Sequence, residues 1–357
     1  MSLNARADLA TLLRDIVDIE SVSGNEERLA DEVEAVLREC DHLSVERNGN
    51  CVIARTHLGR DERVVIAGHL DTVPVAGNLP SRLEDHPDGP RVYGRGTCDM
   101  KGGVAVALQC AVTLAEPVRD VTWIFYDNEE IAQIYNGLRR ISIEQPDLLA
   151  GDFAVLMEPT GAQLEGGCQG TLRVRITATG LAAHSARSWK GDNAIHKLAP
   201  ALDRLEPQPT PVVVDGLEYR PGWNAVRISG GVAGNVIPDR CQVEVNYRFA
   251  PDRSGEEALA EITEKFAEFD VEPLDVSPGA RPGLDHPAAA EFVAAIGVEP
   301  RAKYGWTDVA RFSALGVPAV NFGPGDPNKA HADDEFCPVA DLEFCADALT
   351  RWLEGDT

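Results

Sequence analysis

A chain of 357 residues with a formal net charge of −25 repels phosphate backbones and anionic lipid at long range, which excludes nucleic acid and membranes as expected partners. Its 44% hydrophobic and 25% charged residues are those of a globular protein, and the length suits two domains better than one core. The eight cysteines, at 40, 51, 98, 110, 168, 241, 337 and 345, form no Cys-x-x-Cys pair, so buried free thiols are expected rather than a disulfide scaffold.

Residues 1 to 20 carry Arg6, Asp8, Arg14, Asp15, Asp18 and Glu20, leaving no apolar core of a signal peptide, and the expected location is the cytoplasm. Leu9, Leu12, Leu13, Ile16 and Val17 recur at helical spacing, and Ser23 followed by Glu26 resembles a capping box opening a second helix that reaches Cys40. β-rich runs follow at Leu43 to Arg47, Cys51 to Thr56 and Arg63 to Ala67, the first two joined across Asn48-Gly49 as a hairpin. Gly102 to Leu114 reads as a small-residue helix, and Val121 to Tyr126 and Phe153 to Met157 read as buried strands. That alternation implies an α/β catalytic domain with a mixed sheet and helices on both faces. After Gly170 the texture becomes α+β: strands at Leu172 to Thr179, Asn224 to Ser229 and Gln242 to Phe249, an amphipathic stretch from about Asn193 to Leu205, and a helix through Phe269. The α/β texture returns with Pro287 to Ile296, Phe312 to Leu315, a strand at Pro318 to Phe322 and a closing helix near Asp341 to Leu353. We therefore expect a discontinuous catalytic domain, residues 1–169 plus 287–357, interrupted by a two-layer insertion, residues 170–286.

Ligands of open α/β sheets bind beyond the carboxyl ends of the strands. Three predicted strands here end in metal-ligand chemistry. One runs into GHLDTVP with His69 and Asp71, one into DNEE with Glu129 and Glu130, and one into Glu158-Pro159. RGTCDMKGG places Asp99 just ahead of a helix, and NFGPGDPNKAHADDEF, from Asn321 to Phe336, carries Gly323 and His331. Taken singly, a histidine after a strand is more often hydrogen-bonded than metal-bound, and a Glu-Glu pair is usually solvated. Taken together, two histidines and several carboxylates without a thiolate suit two divalent ions, zinc first, with cobalt or manganese as substitutes. Asp99 is the natural bridge between them. Such a pair activates water and polarises a carbonyl, and a carboxylate is then needed to move the water proton to the leaving amine. Of Glu129 and Glu130, one should ligate and the other catalyse. Cys98 adjoins Asp99, but the surrounding carboxylates disfavour a reactive thiolate there.

These motifs resemble those of the dinuclear zinc aminoacylase and carboxypeptidase family, across nearly the whole chain. The resemblance implies that His69, Asp99 and Glu158 hold one zinc and Asp99, Glu130 and His331 the other. It also implies that Glu129 is the general acid/base, that Asp71 orients the His69 ring, and that the Asp99-Met100 peptide is cis. The insertion resembles the family's dimerisation domain. There His184 in GLAAHSAR would stabilise an oxyanion in a partner's site, while Asn235 and Arg248 would hold a substrate carboxylate.

The stretches KYGWTDVARF, GRGTCDMKGG and LMEPT are most similar to those of actinobacterial-type desuccinylases within that family. They imply N-succinyl-L,L-diaminopimelate as substrate, with an acetylornithine deacetylase, a general aminoacylase, a dipeptidase or a zinc-binding scaffold as alternatives. Thr307 and Asp308 are then expected to meet the substrate's ammonium group, and Gly323 to line the substrate site. IAQIYNGL after DNEE departs from the more acidic stretch common in close desuccinylases.

Overall fold

The computed structural model describes residues 3–355, and the chain divides into two compact units. The first runs to Gly166 and resumes over Pro282–Arg301 and from Arg311 onward; the second comprises Gly167–Arg281 and Ala302–Ala310. Residues 302–310, assigned from the sequence to the catalytic domain, thus pack with the insertion. The reason is local: the Lys303 carbonyl accepts the Gln169 N–H at 3.2 Å, and Ala302 packs with Val214, Tyr219 and Ala250.

An eight-stranded mixed sheet organises the first unit. Its centre is Arg63–His69, parallel to Asp120–Tyr126 on one side and to Phe153–Leu156 on the other. All three strands are apolar almost without interruption and buried along almost their whole length, as strands covered on both faces must be. The register pairs His69 with Tyr126 and Ala67 with Leu156, so the segments leaving these strands emerge at one rim. Beyond Phe153–Leu156 the sheet continues through Ala319–Asn321, also parallel. In the opposite direction Cys51–Arg55 pairs antiparallel with Asp120–Tyr126. The hairpin back to Ser44–Asn48 turns through Gly49 and Asn50, because Asn48 itself pairs with Cys51.

The helices Leu9–Val17, Lys101–Thr113 and Val339–Glu354 pack on one another, and Lys101–Thr113 also lies against Arg63–His69. The middle helix is buried on nearly every side, which explains its small residues. A Cβ on Gly103 would strike the Met157 carbonyl oxygen, so glycine is what lets this helix sit against the strand end next to Glu158.

The second predicted helix is Glu27–Arg38, and its expected capping box is absent: Glu26 makes no side-chain cap. The Ser23 hydroxyl instead donates to Asp71 Oδ2 at 2.7 Å, and Glu26 Oε1 accepts the Gly24 N–H at 2.8 Å and the remote Asn128 N–H at 3.3 Å. The capping box that does form is Ser254 with Glu257, opening Gly255–Lys265 in the second unit. The helix Gly137–Glu144, capped by the Asn136 side chain, was not anticipated.

The second unit is a four-stranded antiparallel sheet in the order Gly222–Gly230, Arg240–Phe249, Gly170–Thr179, Asp270–Ser277. Alternate residues of Arg240–Phe249 are buried, the period-two pattern of a sheet covered on one face. The covering layer is Ala194–Asp203 and Gly255–Lys265, whose Ala194, Leu198, Ala258 and Ile262 join Val243, Val245 and Phe249 in one core.

Candidate metal centre

At the rim of the first unit's sheet, His69 ends its strand and Asp99 precedes the helix Lys101–Thr113. The two carboxylate oxygens of Asp99 divide between two imidazoles: Oδ1 lies 3.1 Å from His69 Nε2 and Oδ2 lies 3.4 Å from His331 Nε2. His331 Nε2 is also 2.9 Å from Glu130 Oε1. Donor atoms of His69, Asp99 and Glu130 all lie within 4.8 Å of one another. Glu158 is buried at the end of the neighbouring parallel strand and falls outside that group. The Asp99-Met100 peptide is cis, as the resemblance implied.

Asp71 does more than orient an imidazole. His69 Nδ1 lies 2.9 Å from the backbone oxygen of Asp71 and 3.4 Å from its carboxylate. The backbone carbonyl therefore fixes the tautomer, leaving Nε2 to face the centre. The Asp71 carboxylate accepts the backbone N–H groups of Glu129 at 2.9 Å and Glu130 at 3.0 Å. The same turn is held at Asn128, whose φ is 58° and whose N–H donates to Glu26 Oε1 at 3.3 Å. Ser23 and Glu26 thus hold this turn, and sequence reasoning placed neither of them there. The only signal for Ser23 and Glu26 was a cap-like spacing, which has a commoner use.

The electrostatics favour a cation. Burial alone would lower the His69 pKa, but hydrogen bonds to Asp71 and Asp99 raise it well above the ordinary 6.5. His331 is pushed up to about 10, chiefly by Asp99 and then Glu130, against a smaller effect of burial. Burial opposes ionisation of Asp99, yet His331 and His69 hold its carboxyl well below the usual range. Glu130 is raised by burial. Protons on the imidazoles thus offset surplus negative charge, the place a divalent ion would take with neutral histidines as ligands. The donor set, imidazole and carboxylate without thiolate, fits ions of zinc's hardness. Cys98, buried beside Asp99, has its thiol pKa pushed well up by burial and by Asp99, as expected for an unreactive packing residue.

Residues 65–355 match the profile of Peptidase family M20/M25/M40. The chain belongs to that family. It is 55% identical to a Mycobacterium tuberculosis protein provisionally named succinyl-diaminopimelate desuccinylase DapE, covering 99% of this chain and 100% of that one. It is 47% identical to the succinyl-diaminopimelate desuccinylase of Corynebacterium glutamicum, covering 98% and 97%. The fold is shared with a Bacillus subtilis dinuclear metal binding peptidase of family M20, at a TM-score of 0.71 and 18% identity over 97% and 96% of the two chains.

In this M20 chain the remaining candidates lie as follows. Gly323 is buried and exchanges hydrogen bonds with Thr160. An added Cβ there would meet the Met157 carbonyl and come 2.6 Å from the Glu158 carbonyl, so it shapes the backbone that carries Glu158. His184 and Asn235 adjoin on a two-stranded ribbon, where Ser185 N–H donates to the Asn235 carbonyl at 2.9 Å. Both are exposed, and His184 Nδ1 accepts the Ala186 N–H at 3.0 Å. Arg248, on the strand Arg240–Phe249, is half-buried, and burial lowers its pKa. Thr307 and Asp308 are buried, with the Thr307 carbonyl taking the Cys168 thiol at 3.7 Å.

Proposed function

We propose that this M20 enzyme hydrolyses N-succinyl-L,L-diaminopimelate to succinate and L,L-diaminopimelate, using two divalent ions, zinc foremost. The observation that carries the reading is 55% and 47% identity, over essentially the whole of each chain, with proteins named for that activity. His69, Asp99 and Glu158 would hold one ion and Asp99, Glu130 and His331 the other, with Asp99 shared. When bound, such a pair lowers the pKa of a water towards about 7 and polarises the scissile carbonyl.

The chain's own part is proton handling and positioning. Glu129, fixed through its backbone N–H to Asp71, accepts the water proton on its carboxylate and returns it to the leaving amine as the C–N bond breaks. One water is consumed, and the acyl carbon leaves as a carboxylate. His184 and Asn235, neighbours on one exposed ribbon, are assigned to the oxyanion and to a substrate carboxylate respectively, Arg248 to a carboxylate, and Thr307 and Asp308 to the ammonium end. Gly323 shapes the same rim. A homodimer through the second unit, with His184 serving the partner's site, is part of this reading. Its support is the exposed apolar edge strand Gly222–Gly230, where Val226 is 57% and Ile228 55% exposed. Among the described residues no helix is long and apolar enough to cross a membrane.

The deciding assay compares N-succinyl-L,L-diaminopimelate with N-acetylornithine, using zinc-loaded protein and a chelated control. Chelator-sensitive turnover of the succinyl compound is expected. Preference for acetylornithine keeps the chemistry and replaces the substrate, and inactivity on both removes the deacylase reading.

A further inference from the structure

Beneath the metal centre lies an ion pair unconnected to any role described so far. Arg95 and Glu335 are almost wholly buried, and Arg95 Nη1 lies 2.9 Å from Glu335 Oε2. The other carboxylate oxygen, Oε1, accepts the backbone N–H groups of Cys98 at 3.0 Å and Asp99 at 3.2 Å. The guanidinium also reaches two further segments. Nε donates to the Pro74 carbonyl at 3.1 Å, and Nη1 also reaches the Ala332 carbonyl at 3.2 Å. Pro74 lies in the loop leaving His69, and Ala332 follows His331 directly. The Gly94 N–H closes the arrangement by donating to the Glu335 backbone oxygen at 3.1 Å.

We propose that Arg95 and Glu335 are positioning residues for the metal centre, holding the backbone of Asp99 in register with the loops that carry His69 and His331. The inference rests on the reading that this centre binds two divalent ions. The two oxygens of Asp99 face different imidazoles, so a small rotation of its backbone would disturb the donors of both ions at once. Stability alone is a weak account of the pair, because burying two charges costs solvation that their attraction offsets only with good geometry. Its bonds to three separate ligand-bearing segments are what a bare stabilising pair would not need. Outer partners of metal ligands typically govern about 10- to 100-fold in affinity.

The test titrates zinc into metal-free protein against a chromophoric chelator, with thermal unfolding measured in parallel. Variants are Glu335→Ala, Glu335→Gln, Arg95→Lys and, as a control, Arg119→Met, which breaks another buried arginine's contacts with Glu62 and the Trp352 carbonyl. Glu335→Ala is expected to weaken zinc binding about 10- to 100-fold. Glu335→Gln should recover part of that loss, since its amide oxygen still accepts the Cys98 and Asp99 N–H groups. Arg119→Met should lose stability yet bind zinc like the parent. Parent-like zinc affinity in folded Glu335→Ala, or a loss no larger than in Arg119→Met, overturns the proposal. Should Glu335→Ala fail to fold, parent-like affinity in both Glu335→Gln and Arg95→Lys overturns it equally. A parent protein that takes up no zinc removes the metal reading and this inference with it. A parent that binds zinc but spares the succinyl substrate touches only the substrate assignment.

Discussion

Glu129 and Glu130 are adjacent carboxylates whose backbone N–H groups sit on the two oxygens of one buried aspartate, yet we assign them different work. Glu129→Gln is expected to lower turnover by about 10²- to 10⁴-fold with zinc content unchanged, whereas His331→Ala loses zinc as well. Equal zinc loss in both, measured by elemental analysis, removes the division of roles. The metal-free protein also makes a pH prediction. His331 titrates near 10 when folded against an ordinary 6.5, so its contribution to stability is complete below 6.5 and disappears as pH rises through about 10. Lys101 acts in the opposite sense. Burial lowers its pKa to about 7 from 10.5, so the unfolded chain binds the extra proton and stability rises between those values. Denaturant unfolding at pH 6.5 and 10 should therefore show the parent's advantage over His331→Gln shrinking with pH. Parallel curves for the two proteins would mean that the imidazole is not held protonated.

Between the scale of residues and that of the molecule, packing at the ends of elements decides where ligands point. Gly323 and the helix residue Gly103 both face the Met157 carbonyl, from opposite parts of the sequence. Gly103→Ala and Gly323→Ala are each expected to cost about 1–3 kcal/mol through overpacking, read as a lowered midpoint in urea. An unchanged midpoint in either variant shows that the Met157–Glu158 turn yields easily. The strands carrying His69, the Glu pair and Glu158 were legible in the sequence because covered parallel strands are apolar runs that stop abruptly at their polar ends. The carboxylates that hold the ligand loops were not. Glu26 and Glu335 bond to backbone N–H groups remote in sequence, and neither periodicity nor spacing encodes a partner that only tertiary structure supplies. Ser23 and Glu26 misled for the same reason, their spacing being that of a cap while their bonds run to Asp71 and Asn128. For Thr307 and Asp308, residue type suggested recognition, whereas their burial within the second unit is set by tertiary packing that no local pattern announces.

For the molecule as a whole, the proposed dimer has a definite consequence. The strand Gly222–Gly230 is an edge strand with a row of exposed residues, a template for pairing unless something covers it. The double variant Val226→Lys, Ile228→Lys should sediment as a monomer and, if His184 serves a neighbour's site, lose about 10²- to 10³-fold in turnover. A fully active monomer would return His184 to a local role. The strand order carries a different kind of consequence, one of timing. Ala319–Asn321 pairs with Phe153–Leu156, and the intervening chain makes the whole four-stranded sheet of the second unit. During synthesis that contiguous segment can close on itself while the first unit still lacks an interior strand and His331. The apolar flank of Phe153–Leu156 then stays open to wrong pairing until nearly the last residues emerge. The rim that gathers His69, Asp99, Glu130 and His331 is complete only once His331, near the end of the chain, has emerged.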